Sequence, residues 1–460
     1  MGSDGLLSRT CFREYDIRGV YGRDLDAGGA YRVGLALGEY LRCGDVVVGR
    51  DGRLSSPQLA SGVIEGLLDR GCSVLDIGMV PTPAFYWAVR RLGARGGAMV
   101  TASHNPPEWN GFKLVKEDAK PLARGFGLEV VEELALSDLS MLVSGERGTR
   151  RGLEILDEYV TEISDLASVG GSHRVAVDTS SGVAALTAPQ ALSQIGCEVR
   201  VLNGEIDGRF PSHPPEPLPE HLGELRGEVR RGGYDLGVAF DGDGDRSAYV
   251  DDRGRVLTGD QALAILSMMY LEDHPGGAVV FDVSSSSVVR DVVKGLGGVP
   301  VEVRVGSAFV KEKMLEVGAV LGGERSGHLY FIELGGTDDA TFAALKMVEV
   351  VDRLGPLSAL VDSLPRYHMT SASVECPDEL KRTVVEAVAE KIAGAADRVD
   401  RLDGVKAWFG ESWVLIRASN TQPLIRVTAE SKLRGEAEKL VNEVLRALRG
   451  VRLNGWGERR

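Results

Sequence analysis

No run in the sequence approaches the ~20 apolar residues of a membrane-spanning helix. Its opening residues, Met-Gly-Ser-Asp-Gly-Leu-Leu-Ser-Arg, hold no apolar core of signal-peptide length. Position 6 is Leu, not Ser or Thr, which fits N-myristoylation poorly. Walker A and G-x-G-x-x-G patterns are both missing, so nucleotide binding is not indicated. No C-x-x-C occurs. The five cysteines, Cys11, Cys43, Cys72, Cys197 and Cys376, are odd in number and far apart along the chain. That usage predicts reduced thiols and a cytoplasmic protein. Positive charge is also short, with 53 Lys and Arg against 67 Asp and Glu, a net charge of −14. A polyanion is repelled overall, which argues against a nucleic-acid partner. If such a protein handles an anionic small molecule, it must concentrate its arginines locally.

What remains is an ordinary globular balance, 43% apolar and 26% charged, in 460 residues. That length is too great for one core and fits three or four domains. A pattern recurs three times. Val46-Val47-Val48-Gly49-Arg50-Asp51 reads as a buried strand ending in Asp, then a helix over 57–70, a strand over 72–77, a helix over 83–92 and a strand over 97–102. The second copy runs from the strand Val175-Ala176-Val177-Asp178 through a helix over 184–194 and a strand over 197–201 to a strand over 236–240. The third runs from Val279-Val280-Phe281-Asp282 through a helix ending at Gly295 and a strand over 300–305 to a short strand over 319–321. From strand-end Asp to terminal loop the interval is 52 residues (Asp51 to Ser103), 63 (Asp178 to Asp241) and 42 (Asp282 to Glu324). This repeat is too long for a solenoid. It predicts three similar α/β mixed-sheet domains whose loops converge on a central cleft. From about residue 366 the pattern changes to strands over 369–376, 413–417 and 424–429 and helices over 378–393 and 434–448, a C-terminal α+β domain. The domains are placed at 1–150, 151–252, 253–367 and 368–460.

Four loops carry the chemistry. Thr101-Ala102-Ser103-His104-Asn105-Pro106-Pro107 follows a strand, and its prolines cannot continue one. Ser103 thus sits past a strand end, where α/β folds place reactive groups. Asp241-Gly242-Asp243-Gly244-Asp245-Arg246 alternates carboxylates with glycines, so the carboxylates can converge, and a cation must then neutralise them. Oxygen-only ligands favour Mg²⁺ or Ca²⁺. An EF-hand fails because Arg246 stands at the sixth position and Asp252 at the twelfth. Glu324, Ser326 and His328 alternate, which places them on one side of an extended segment, suited to vicinal sugar hydroxyls. Arg417-Ala418-Ser419-Asn420-Thr421-Gln422-Pro423, with Arg426 beyond, suits a phosphate dianion. Tyr15 and Arg18 form a polar lead-in. Lys113, ten residues after Ser103, returns beside it if the chain makes a hairpin, and a buried Lys near other cations has a lowered pKa suited to moving protons.

Together these stretches resemble the α-D-phosphohexomutase superfamily, in its phosphomannomutase/phosphoglucomutase branch. The matching segments are F-R-E-Y-D-I-R-G (12–19), T-A-S-H-N-P (101–106), D-G-D-G-D-R (241–246), G-E-R-S-G-H (323–328) and R-A-S-N-T (417–421). The resemblance implies that Ser103 carries a phosphoryl group and that Asp241, Asp243 and Asp245, with an oxygen on Ser103, hold Mg²⁺. It implies that Glu324, Ser326 and His328 form the sugar loop and that Arg417, Ser419, Asn420 and Thr421 hold the non-reacting phosphate. Arg18, His104, Lys113 and Arg246 match positions lining the transfer site. The implied reaction moves a phosphoryl group between the 1- and 6-hydroxyls of a hexose through a 1,6-bisphosphate, which also serves as activator. The intermediate turns end for end, and a fourth domain hinged near residues 365–370 accommodates it. Where some bifunctional relatives place a sugar-gripping Lys and His, this chain has Ser284 and Ser307, and Gln422 replaces a common Glu. Three alternatives stand beside this reading: a glucosamine-phosphate mutase, a Mg²⁺-dependent sugar phosphatase and a silent sugar-phosphate binder. F-R-E-Y-D-I-R-G and R-A-S-N-T differ from the F-G-T-D-G-I-R-G and R-P-S-G-T of the glucosamine branch.

Overall fold

The computed structural model describes residues 5–419 and 422–451. The threefold pattern is topological as well as sequential. In each of the first three units the Asp-ended strand is the middle of a parallel trio. Asp45–Arg50 lies between Ser73–Met79 and Gly96–Val100. Arg174–Asp178 lies between Glu198–Leu202 and Leu236–Phe240, and Ala278–Asp282 between Val299–Val303 and Leu321–Gly323. An antiparallel strand then returns beside the third member: Trp109–Lys116, Ser247–Asp251 or Leu329–Phe331. The buried middle strands have near-continuous apolar runs, as expected of parallel strands covered on both faces.

The recurrent Asp has one local cause. Asp51 Oδ1 accepts the Arg53 N–H at 3.0 Å, Asp178 Oδ1 that of Ser180 at 2.9 Å, and Asp282 Oδ1 that of Ser284 at 2.7 Å. Each short side chain satisfies the N–H two residues on and turns the chain at the strand end. The three terminal loops therefore emerge at the same edge of their sheets.

The fourth unit is a five-stranded antiparallel sheet, in the order His368–Glu375, Leu424–Ser431, Ser412–Ala418, Val405–Phe409, Arg398–Asp400. Side chains alternate across it. Val414, Ile416, Ile425 and Val427 face the helices Lys381–Ala393 and Arg434–Arg449. Trp413 and Leu415 face the other way and, with Trp408, cover Val283 of the third unit.

Several expectations need correction. The strand before Ser103 ends at Val100, because the Thr101 hydroxyl takes the Ser103 N–H and turns the chain. The helix expected over 184–194 is a 3-10 turn, Val183–Leu186, followed by a helix, Ala188–Gln194, with Pro189 at its start. The helix Ala27–Leu41 and the strands Arg398–Asp400 and Val405–Phe409 were not anticipated. Glycines hide that helix: a Cβ on Gly34 would lie 2.2 Å from the Val63 carbonyl, so the residue serves close packing against the helix Ser56–Asp69. The strand Arg150–Gly152, also not anticipated, pairs with Ser73–Met79 at the edge of the first sheet.

Candidate active site

The three loops and the fourth-unit loop meet at one cavity of about 420 Å³. Its wall includes Tyr15, Arg18, His104 and Lys113 from the first unit and Asp245 and Arg246 from the second. Glu324, Ser326 and His328 come from the third, and Arg417 and Ser419 from the fourth. Arg13 and Arg426 add two further cations, so a chain of net charge −14 does gather its arginines here. Asn420 and Thr421 lie outside the described residues.

Ser103 has no exposed surface and lies just behind this wall. Its φ of 51° is unusual for a non-glycine residue, a local strain sustained by the surrounding contacts. Those contacts come mainly from Arg53, a fully buried guanidinium. It donates to the carbonyls of Ser103 (2.7 Å), Asn105 (2.6 Å), Pro106 (2.7 Å) and Trp109 (3.0 Å), and pairs with Asp51 at 3.2 Å. The first Asp-ended strand thus acts on Ser103 through Arg53. The D-G-R sequence at 51–53 was the available signal, and sequence reasoning missed it.

The Ser103 hydroxyl donates to Asp241 Oδ2 at 2.7 Å and lies 3.2 Å from His104 Nδ1. The other Asp241 oxygen accepts the N–H groups of Gly244, Asp245 and Arg246 at 3.0–3.2 Å. The D-G-D-G-D-R glycines permit this tight turn: a Cβ on Gly242 would lie 2.6 Å from the Ser103 carbonyl. Burial and the charges of Asp243 and Asp245 push the Asp241 carboxyl up to about 8. Thr82 and Lys113 each donate to Asp243 Oδ2 at 2.7 Å, and Lys113 also donates to Asp245.

The hairpin expected for Lys113 is present, with Met99 opposite Lys113 in the register. Its electrostatics are the reverse of those expected. Burial opposes its charge, but the paired carboxylates of Asp243 and Asp245 outweigh burial and hold Lys113 well above the usual lysine range. The lowered pKa expected from cationic neighbours does not arise, because its contacts are anionic.

All three carboxylates are buried, with ligand oxygens within 4.8 Å of one another. Asp243 Oδ1 and Asp245 Oδ1 are buried without a hydrogen-bond partner. The Lys113 ammonium donates to Asp243 and Asp245 but not to Asp241. An all-oxygen, over-charged, partly unpaired donor set fits a hard divalent cation.

Other candidates are held less directly. Arg18 is fixed by Asp16 at 2.7 Å and Asn105 at 2.6 Å. Burial, then Arg246 and Arg18, push the His104 pKa well below its usual value, so the ring is neutral. Arg246 Nε donates to His328 Nε2 at 3.0 Å, which leaves His328 Nδ1–H to face Asp338 at 2.8 Å. Lys311 pairs with Asp338 at 2.7 Å. Neither Asp338 nor Lys311 was anticipated, although Thr337-Asp338-Asp339 was a visible acidic pair. Glu324, Ser326 and His328 occupy a tight turn, not an extended segment: Glu324 N–H bonds the His328 carbonyl and Gly327 N–H the Glu324 carbonyl. All three still reach the cavity wall. Tyr15 lines the cavity, but its hydroxyl donates to the Val305 carbonyl at 2.5 Å and so links the first and third units. Of the two serines that replace basic residues, Ser307 lines the cavity, whereas the Ser284 hydroxyl bonds Asp282.

In the fourth unit, Arg417 and Arg426 are direct cross-strand partners. Like charges directly opposite destabilise a sheet by about 0.2–1 kcal/mol. Neither arginine forms an ion pair among the described residues. Burial, then the Arg417 charge, lower the Arg426 pKa. Lys381 braces the loop through the carbonyls of Ser419 (2.5 Å) and Gln422 (3.0 Å).

A fold of three like units plus a fourth, closing on a buried serine and three carboxylates, defines a class before any comparison. Comparison supplies the family. The four "Phosphoglucomutase/phosphomannomutase" domain descriptions match in order: alpha/beta/alpha domain I over residues 9–138, II over 157–254, III over 258–367 and the C-terminal domain over 373–447. The chain belongs to the phosphoglucomutase/phosphomannomutase family. A phosphomannomutase/phosphoglucomutase of Pseudomonas aeruginosa is 36% identical, covering 97% of this chain and 96% of its own. A probable phosphoglucosamine mutase of Methanopyrus kandleri is 38% identical over 94% of this chain and 96% of its own. The crystal structure of a phosphoglucomutase/phosphomannomutase family protein from Burkholderia thailandensis superimposes with a TM-score of 0.88 at 32% identity, covering 96% of this chain and 98% of that one.

Proposed function

We propose that this chain is a phosphohexomutase, an isomerase that moves a phosphoryl group between the 1- and 6-hydroxyls of mannose or glucose phosphate. The observation that carries the reading is the Ser103 hydroxyl at 2.7 Å from Asp241, in a cluster of three buried carboxylates, behind a cavity also lined by Arg417 and Arg426, which have no ion pair among the described residues. Phosphoserine 103 gives its phosphoryl group to one sugar hydroxyl, forming a hexose 1,6-bisphosphate. The bisphosphate reverses, and its other phosphate returns to Ser103. A hexose 1,6-bisphosphate added from outside primes the serine and is the proposed activator.

Asp241, Asp243, Asp245 and a Ser103 oxygen are the proposed Mg²⁺ ligands. When bound, the ion offsets charge on the phosphoryl oxygens. Arg18, Lys113 and Arg246 add positive charge around the same group. Lys113 serves as an ammonium and not as a depressed base, which revises the proton-moving role expected of it. His104, neutral and 3.2 Å from Ser103, is the group placed to exchange a proton with that hydroxyl. Glu324, Ser326 and His328 take the sugar hydroxyls, and Tyr15 shapes the same wall. Arg417, Ser419, Asn420 and Thr421 hold whichever phosphate is not reacting. Domain limits near residues 150, 252 and 367, with the hinge at 365–370, belong to the same proposal. So do a cytoplasmic location and partners confined to small hexose phosphates, without nucleic acid or membrane.

A glucosamine-phosphate substrate is the second reading, favoured by the Methanopyrus kandleri relative. Coupled assays of mannose, glucose and glucosamine 1-phosphates, each with Mg²⁺ and a hexose 1,6-bisphosphate, separate the two. Free phosphate released without isomerisation would instead mark a phosphatase.

A further inference from the structure

The cysteine spacing predicts five separate thiols, yet the fold brings two of them together. Cys43 and Cys72 lie 29 positions apart in sequence, and their Sγ atoms are 2.7 Å apart. Neither sulfur reaches the other by chance of a mobile loop. Cys43 closes the C-terminus of the helix Ala27–Leu41: Arg42, Cys43 and Gly44 all have positive φ, and the Cys43 N–H bonds the Gly38 carbonyl at 2.9 Å. Cys72 immediately precedes the strand Ser73–Met79, has no exposed surface, and its N–H bonds the Leu67 carbonyl at 2.9 Å. Its sulfur fills the space left by the missing Cβ of Gly38, where a methyl would approach to 2.8 Å. Cys43 is half-buried and so reachable from solvent. Cys11, Cys197 and Cys376 are buried, and no sulfur contact joins them to another cysteine.

We propose that Cys43 and Cys72 form a reversible disulfide that staples the first unit, with a low-molecular-weight disulfide as the oxidant. The Cys43 thiolate attacks the small disulfide RS–SR, forming Cys43–S–S–R and expelling one RS⁻. Cys72 loses its proton to solvent, and its thiolate attacks Cys43 Sγ, forming the Cys43–Cys72 bond and expelling the second RS⁻. The protein loses two electrons and two protons, and the reagent becomes two equivalents of RSH. Burial and the neighbouring sulfur push the Cys72 thiol well above its ordinary pKa, so entry is through Cys43. The bond closes a loop containing the helix Ser56–Asp69 and the strand Asp45–Arg50, which constrains the unfolded chain.

Its place in the sheet separates this device from the reaction, so the inference stands independently of the mutase reading. Cys43 and Cys72 sit at the N-terminal edge of the parallel strands, whereas Ser103 follows their C-terminal edge. The seven-residue strand Ser73–Met79 makes that separation about 20 Å. The bond should change stability and leave turnover alone.

The test treats the full chain with 2-hydroxyethyl disulfide, blocks remaining thiols, and maps peptides by mass. The expected result is loss of two of the five thiols, a linked Cys43–Cys72 peptide, and a thermal midpoint raised by about 5 °C or more. Reductant reverses all three, and mutase rates at moderate temperature are equal in both states. Cys43→Ser and, separately, Cys72→Ala should each show no shift with the reagent. Five persistent thiols, a terminal mixed disulfide on Cys43, or linkage without thermal gain would each overturn the proposal.

Discussion

At one end of the cleft Ser103, Asp241, Asp243 and Asp245 are buried, Lys113 is half-buried, and side-chain hydrogen bonds join Ser103 to Asp241 and Lys113 to Asp243 and Asp245. At the other end Arg417 and Arg426 stand opposite each other across two strands, with no carboxylate paired to either among the described residues. The first end gathers three acidic side chains, with the charges of Lys113, Arg246 and Arg18 acting on them; at the second, two arginines face each other without an ion pair among the described residues, and Glu216 supplies a carboxylate charge acting on Arg426. This difference matches a division of labour. The buried end holds a reacting group in fixed geometry, where preorganised charge acts without reorganisation. On the proposed function, the arginine end receives the non-reacting phosphate, from either end of a reversing sugar.

The contrast can be broken by substitution. Ser103→Ala should give the largest effect, loss of mutase turnover to background in the coupled assay, with substrate binding by calorimetry retained. Retained turnover would remove the phosphoserine cycle. Lys113→Met should lower kcat by about 10²–10⁴-fold with KM within a few-fold, as befits a group acting on the reacting phosphoryl oxygens. A pure KM effect would move Lys113 to the binding side of the comparison. Arg417→Ala should do the opposite, raising KM by about 10–100-fold, the equivalent of one charge-assisted hydrogen bond, with kcat changed far less. Relief of the repulsion from Arg426 should leave its thermal midpoint equal or higher.

Much of this was legible in the sequence, for reasons that particular residues make plain. Asp51, Asp178 and Asp282 end their strands and bond the N–H two residues on, so a one-letter pattern reported a real turn. The carboxylates of D-G-D-G-D-R converge because the loop is short. For Arg53 the D-G-R sequence marked the position but not the role, which depends on four carbonyls between 50 and 56 positions away. Asp338 and Lys311 act through His328, and that chain of contacts exists only after the sheets form. The helix Ala27–Leu41 was hidden by glycines that look like turns and serve helix packing. The pKa direction of Lys113 failed because motif order does not show which charges touch.

Arg53 suggests a smaller, structural effect. Arg53→Met leaves Asp51 buried and unpaired and should cost about 3–5 kcal/mol in urea unfolding, with turnover at low temperature also reduced through the loosened Ser103 loop. Smaller again is a pH effect at the junction of the third and fourth units. Burial pushes the Asp260 carboxyl up to about 7. Since its folded pKa exceeds the unfolded one, its contribution to stability is fully present below about pH 4 and is lost progressively as pH rises from there through 7. Asp260→Asn should flatten that part of the midpoint-versus-pH curve, and an unchanged slope would show that this carboxyl does not set it.

The most direct measurement follows a labelled phosphoryl group. The protein is incubated with Mg²⁺ and a hexose 1,6-bisphosphate carrying labelled phosphate, and then chased with unlabelled hexose monophosphate. The account predicts one label per chain on the Ser103 peptide, none on Ser103→Ala, and return of the label to sugar during the chase. Label on another residue, or its release as inorganic phosphate, would contradict it.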